Sequence, residues 1–175
     1  MLAAEQGVNL TDYAKSKLKA KLKALALTPE DGGYHTAVKL LTPLTEEELQ
    51  LSIEWLSNDM ICLEDIKVVF PNLYHYLQPL SLNSLSIETK WISDYFDAYR
   101  FSKISDKISD TVDCVIKEKN SSPANFQNWY DNFKTVKTVL HNRKDIEIFY
   151  WIDGLGVDWI PFIREIISSY SKENI

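Results

Sequence analysis

The place to look for chemistry in this chain is an acid that follows a dense apolar run. Residues 146–152 read IEIFYWI, and Asp153, Gly154, Leu155 and Gly156 follow. A short, nearly continuous run of β-branched and aromatic residues is the pattern of a strand buried on both faces, as in a parallel sheet. In open α/β sheets, ligands sit beyond the carboxyl ends of the strands. An acid at that point is placed to ligate a metal or to orient a phosphate-bearing substrate. The glycines permit positive φ and close approach of the backbone to a ligand. The spacing is not the dinucleotide fingerprint, because the third glycine is missing, and it is not a P-loop, because no Gly-Lys-Ser/Thr occurs. On spacing alone, an ordinary turn at Asp153-Gly154 is the plainer alternative.

One acid does not make a site. Zinc needs three or four protein ligands, and a two-metal phosphoryl-transfer site also needs a nucleophile held between the ions. The histidines, His35, His75 and His141, all precede Asp153. Asp158 is too close along a turn to argue a carboxylate dyad. Cys62 and Cys114 have no His or Cys at ligand spacing, and each falls in a helix-like pattern, so reduced, buried thiols are expected. No Ser/His/Asp or Cys/His arrangement can be assembled. The expectation is a chain that binds no cofactor and catalyses nothing by itself.

A second pattern is basic. Lys15, Lys17, Lys19, Lys21 and Lys23 alternate along one segment. Residues two apart lie about 200° apart around a helix, so these lysines spread over an arc and form no single stripe. A solvated face is the plain reading, and a nucleic-acid or acidic-partner contact is the sharper one. The net charge of −6 argues against broad nucleic-acid affinity.

The elements that must position these residues read mainly as helices. Gly and Pro are scarce, and no apolar run is long enough to span a bilayer. MLAAEQGVNL lacks the basic and apolar regions of a signal peptide, so a cytoplasmic protein is expected. Leu10, Ala14, Leu18, Leu22 and Leu25 predict a helix over 9–27, with Asn9 as cap and Asp12 in its first turn. TPEDGGYHT reads as a loop. Thr45 and Glu48 form a capping-box signal for a helix ending near Ser57. A further helix is expected over 59–70, ended by Pro71. NLYHYLQPL is a short turn, with His75 as a packing or surface residue. Residues 87–119 carry two apolar stripes, Trp91/Tyr95/Tyr99 and Phe101/Ile104/Ile108/Val112/Val115, which implies burial on two sides or a bend near Ser102. The aromatic stripe reads as core before it reads as a base-stacking platform. Ser122 and Pro123 signal the start of a helix reaching about His141. After the glycine turn, 157–170 reads as a helix in which Pro161 is tolerable only in the first turn.

The segment YWIDGLGVDWIPFI resembles the opening of the catalytic domain of PglZ-type proteins, a branch of the alkaline phosphatase superfamily associated with BREX phage-defence systems. WISDYFDAYRFSKI and NFQNWYDNF are similar to the helical region ahead of that domain. The resemblance runs from about Trp91 onward and is most specific over 150–160. It implies that Asp153 is a metal ligand at the end of the first core strand, with Gly154 and Gly156 supporting the turn. It implies zinc or another divalent metal in the full-length protein, a metal-dependent hydrolase. The nucleophile and remaining ligands of that superfamily lie further along than this chain reaches.

The fold class expected is therefore mainly α. A helical interaction domain spans 1–141, and 146–175 supplies the first strand and helix of an alkaline-phosphatase-like α/β domain. Its role would be docking to the rest of the same polypeptide or to other phage-defence proteins. The lone strand leaves an edge that a second copy would pair. The alternative is a self-contained helical adaptor or nucleic-acid-binding module using Lys15 to Lys23. Neither reading involves a membrane.

Overall fold

The computed structural model describes residues 10–31, 33–82, 85, 87–141, 143, 145 and 154–173. The described residues are mainly helical and hold no strand. The strand expected over 146–152 and the acid Asp153 lie outside them. No helix among them is long and apolar enough to cross a membrane. The chain divides into two compact units, Met1–Gln78 with Lys103–Lys107, and Pro79–Ser102 with Ile108–Ile175.

In the first unit, α1 runs Asp12–Ala26. Its cap is Thr11, not Asn9: the Thr11 hydroxyl accepts from the Ala14 N–H at 3.3 Å, satisfying one of the orphan donors of the first turn. Leu22 and Ala26 are buried, and α1 packs on α2 (Gly33–Lys39) and α3 (Glu46–Ser57). The expected loop at TPEDGGYHT is thus part helix. Pro29–Asp31 forms a 3-10 turn, and Gly33, at a φ of 55°, turns the chain into α2. The left-handed conformation that a glycine allows redirects the chain here rather than ending it. Ala37 and Val38 are buried beneath α2.

Thr45 caps α3 as expected, accepting from Glu48 N–H at 3.2 Å. The return half of the box differs. The Glu48 carboxylate, fully buried, accepts from the Thr45 hydroxyl at 2.8 Å and from Thr42 N–H at 2.7 Å. The helix expected over 59–70 does not form. Asp59 adopts a φ of 56°, and Met60 N–H reaches back to Trp55 O at 2.9 Å. Those two features make a Schellman-type stop that closes α3. Only a 3-10 turn, Leu63–Ile66, follows. Pro71 then opens α4 (Pro71–Tyr76) instead of ending a helix, since a first-turn position costs proline no hydrogen bond.

The two apolar stripes of 87–119 resolve into two helices, with Lys103–Lys107 belonging to the first unit and the rest to the second. α5 (Trp91–Ser105) and α6 (Asp110–Lys119) are separated by Asp106, at a φ of 53°. The expected bend near Ser102 is a break a few residues later, and Ser102 Oγ accepts from Ser109 N–H across it at 3.0 Å. The single helix expected to follow Pro123 is two short ones, α7 (Phe126–Asp131) and α8 (Val136–Leu140). Ser122 is not the cap: its hydroxyl takes the Ala124 N–H in a local turn. Asn125 caps α7 through Asn128 N–H at 2.8 Å, and Thr135 caps α8. Asn and Asp side chains compete with the helix ladder here; Asn132 Nδ2, for example, bonds Asn128 O at 2.7 Å.

The aromatic stripe of α5 is core. Trp91 and Tyr95 each meet Phe126 edge-on at 4.7 Å between ring centres, and Phe96 packs on Trp129. Edge-to-face packing of this kind adds about 0.5–1.5 kcal/mol per pair beyond area burial. Arg100, wholly buried, pairs with Asp97, whose carboxylate also accepts from Leu80 N–H at 3.0 Å. The last helix, α9 (Ile160–Glu173), follows a 3-10 turn over Val157–Trp159. Pro161 falls in its first turn, as the sequence required.

Candidate functional site

The described part of the glycine turn begins at Gly154. Its φ of 75° lies in the left-handed region that favours glycine, and a Cβ there would meet nothing. Its requirement is therefore conformational. At Gly156 the requirement is spatial: a Cβ would collide with the Asp158 carboxylate. Asp158 is itself buried, and Trp159 N–H bonds Gly156 O at 3.1 Å. The turn is thus tightly built around Gly156 and Asp158 before the chain enters α9. Asp153 lies outside the described residues. Among the described residues no group of three or more His, Cys, Asp or Glu side chains is arranged to hold a metal.

α9 carries apolar residues at 163, 166, 167 and 170, one face of a helix. Ile163 is half-buried, and the rest of that face lies open: Ile166 is 38 % exposed, Ile167 60 % and Tyr170 65 %. The helix is anchored elsewhere, where Arg164 donates to Ser81 O at 2.6 Å.

The lysines of α1 are not one surface. Lys15 pairs with Asp12 at 3.6 Å. Lys17 donates to the Tyr13 hydroxyl and lies over its ring. Lys23 bridges to Glu54 of α3 at 2.9 Å. Lys19 and Lys21 make no ion pair with described residues. The helical spread anticipated from the sequence therefore splits the group between intramolecular partners and solvent.

Both thiols are free and exposed, not buried as expected. The apolar periodicity around Cys62 was misleading because that residue starts a 3-10 turn, and Cys114 falls on the outer face of α6. An acid beside Cys62 was not anticipated from the sequence. Asp65 accepts from Cys62 N–H at 2.8 Å. Partial burial works to raise its carboxyl, but the Cys62 backbone and thiol hydrogen bonds, with His35 and Lys39 nearby, leave it below its ordinary value. The CLED spacing, an acid three residues after a cap position, is the signal that would have found it. Next to it, the Tyr74 hydroxyl donates to Glu64 at 2.6 Å and holds that carboxyl below its usual range.

No family model, curated protein or solved structure matches this chain.

Proposed function

We propose that this chain is a helical docking module, inactive alone, whose segment from 146 onward opens a metallohydrolase domain of the PglZ type. The observation that carries the reading is the open apolar face of α9. A helix that follows the first strand of an α/β domain buries such a face on the sheet. The strain-tolerant turn at Gly154 and Gly156 and the resemblance of 150–160 support the same assignment. In it, Asp153 is one metal ligand and the turn holds it in place. A single carboxylate is too few for a catalytic metal, so zinc or another divalent ion would be held only with further ligands, and it would supply Lewis-acid chemistry there. This chain's own contribution is to bind and orient: the helical units present surfaces to the rest of the polypeptide or to other phage-defence proteins.

The test is the reading frame past Ile175, expressed as a longer polypeptide. The reading expects a Ser or Thr and further Asp and His residues downstream. It expects slower amide exchange over 163–170 than in this chain, and a metal-dependent hydrolysis that Asp153→Ala removes. A stop codon after Ile175, or exchange at 163–170 unchanged in the longer protein, overturns the metallohydrolase assignment.

The second reading, a nucleic-acid module built on α1, is disfavoured by the partners of Lys15, Lys17 and Lys23. Duplex DNA binding that falls steeply with salt would restore it.

A further inference from the structure

We propose that the first unit binds a small, neutral, apolar molecule in a cleft beside α3 and α4. The cleft has a volume of about 550 Å³ and is lined by Leu49 and Ile53 of α3, Phe70 and Leu73, and Ile104 of α5. That volume is within the range of about 300–1,000 Å³ typical of small-molecule sites. The inference is independent of the metallohydrolase assignment, because none of these residues belongs to the glycine turn or α9.

The lining sets the chemistry of the occupant. It contains no charged side chain, and Asn72 is its one polar one. Two further members of the lining, Pro43 and Pro71, have no backbone N–H to offer. A charged ligand would be desolvated here with nothing to pair it. Water is poorly held as well, since a retained molecule needs two or more polar partners. Displacing it with an apolar group is therefore favourable. Asn72 is exposed beside the cleft, and its amide offers one donor side and one acceptor side. A ligand with an apolar body and a single carbonyl, amide or hydroxyl group fits that arrangement.

The space suits a molecule of up to three rings, or a short alkyl chain.

The probe is N-phenyl-1-naphthylamine, a neutral fluorophore that brightens in apolar surroundings, titrated into the full chain. The expected dissociation constant is on the order of 100 µM. Leu49→Trp, at a half-buried lining position, fills the cleft and weakens binding by about tenfold or more, with the far-UV circular dichroism unchanged. Should that variant unfold, Asn72→Asp, at an exposed position, puts a charge beside the cleft and weakens the neutral probe several-fold. The double variant Ile166→Ser/Ile167→Ser removes the open face of α9, the competing place for an apolar probe, and leaves binding unchanged. No fluorescence change with the folded wild-type chain overturns the proposal. So does binding that survives both cleft variants but disappears with the α9 double variant.

Discussion

α3 and α9 are similar as sequences and opposite as surfaces. Each is an amphipathic helix with apolar residues at helical spacing. In α3, Leu51 is fully buried, and Ile53, Trp55 and Leu56 are nearly so. In α9, Ile166 and Ile167 face outward. The difference is in the neighbours. α1 lies against α3, and Tyr34 of α2 meets Trp55 edge-on at 5.5 Å. Helical periodicity makes a helix, but tertiary partners decide whether its apolar face contributes to stability or stays open for something else. The stability of this molecule should therefore respond to α3, and its associations to α9.

Mutations at α3 press hardest on that contrast. Leu51→Ala removes a fully buried side chain and should cost about 3 kcal/mol through lost transfer energy plus a cavity, read as a lowered urea midpoint. Glu48→Ala should cost about 2–3 kcal/mol, because it strands the Thr42 and Thr45 donors that now share its carboxylate. Glu48→Gln should cost less, since one acceptor oxygen remains. If both alanine variants unfolded like the wild type, the claim that α3 is the anchored helix would fail. In the second unit, Asp97→Ala should cost about 2 kcal/mol. It leaves Arg100 buried without that carboxylate and Leu80 N–H without its acceptor.

The mainly helical character was legible because its signals are local. Thr45 before Glu48 announced α3, and the two stripes over 87–119 announced helix that is either buried on two sides or bent. Stops made by non-glycine residues were not legible. Asp59 and Asp106 take positive φ, and nothing in their side chains announces it beyond a modest tolerance of that region. The end of α3 near Ser57 was read correctly; the helix expected over 59–70 and the position of the break before α6 were misplaced for that reason. Pro71 and Gly33 were read as breakers when each opens a helix, since the same residue serves a first turn as well as a stop. At the glycine turn, the need for Gly154 was readable. The collision that makes Gly156 necessary was not, because it depends on the buried Asp158 side chain folding back. The cleft was invisible for a similar reason: Leu49, Phe70 and Ile104 are far apart in sequence, and each reads as ordinary core.

A smaller effect sharpens the contrast through pH. The Tyr74 hydroxyl holds Glu64 below its ordinary value. A carboxylate depressed in the folded state contributes stability above its unfolded pKa, and loses it as pH falls through the folded value. Tyr74→Phe removes that contribution. The gap in melting temperature between wild type and Tyr74→Phe should therefore be wider at about pH 7 than at about pH 3, below the ordinary Glu range near 4.3. The change will be slight because the Glu64 carboxylate is exposed. A gap that stays constant across that range would show the hydroxyl acting by packing alone.

The smallest expected change in stability is at α9, and it tests the other half of the comparison. Ile166→Ser with Ile167→Ser removes two outward-facing apolar side chains. Serine and isoleucine have similar helix propensities, so the chain alone should keep its stability to within about 0.5 kcal/mol. A core position of the same chemistry would lose several times that. If the pair instead destabilises the chain as strongly as Leu51→Ala does, the face is buried in solution and is not available for docking. If stability holds, the same variant should weaken association with the downstream part of a longer polypeptide supplied separately, measured by co-purification of the two pieces. Those isoleucines would then serve the complex and not the fold.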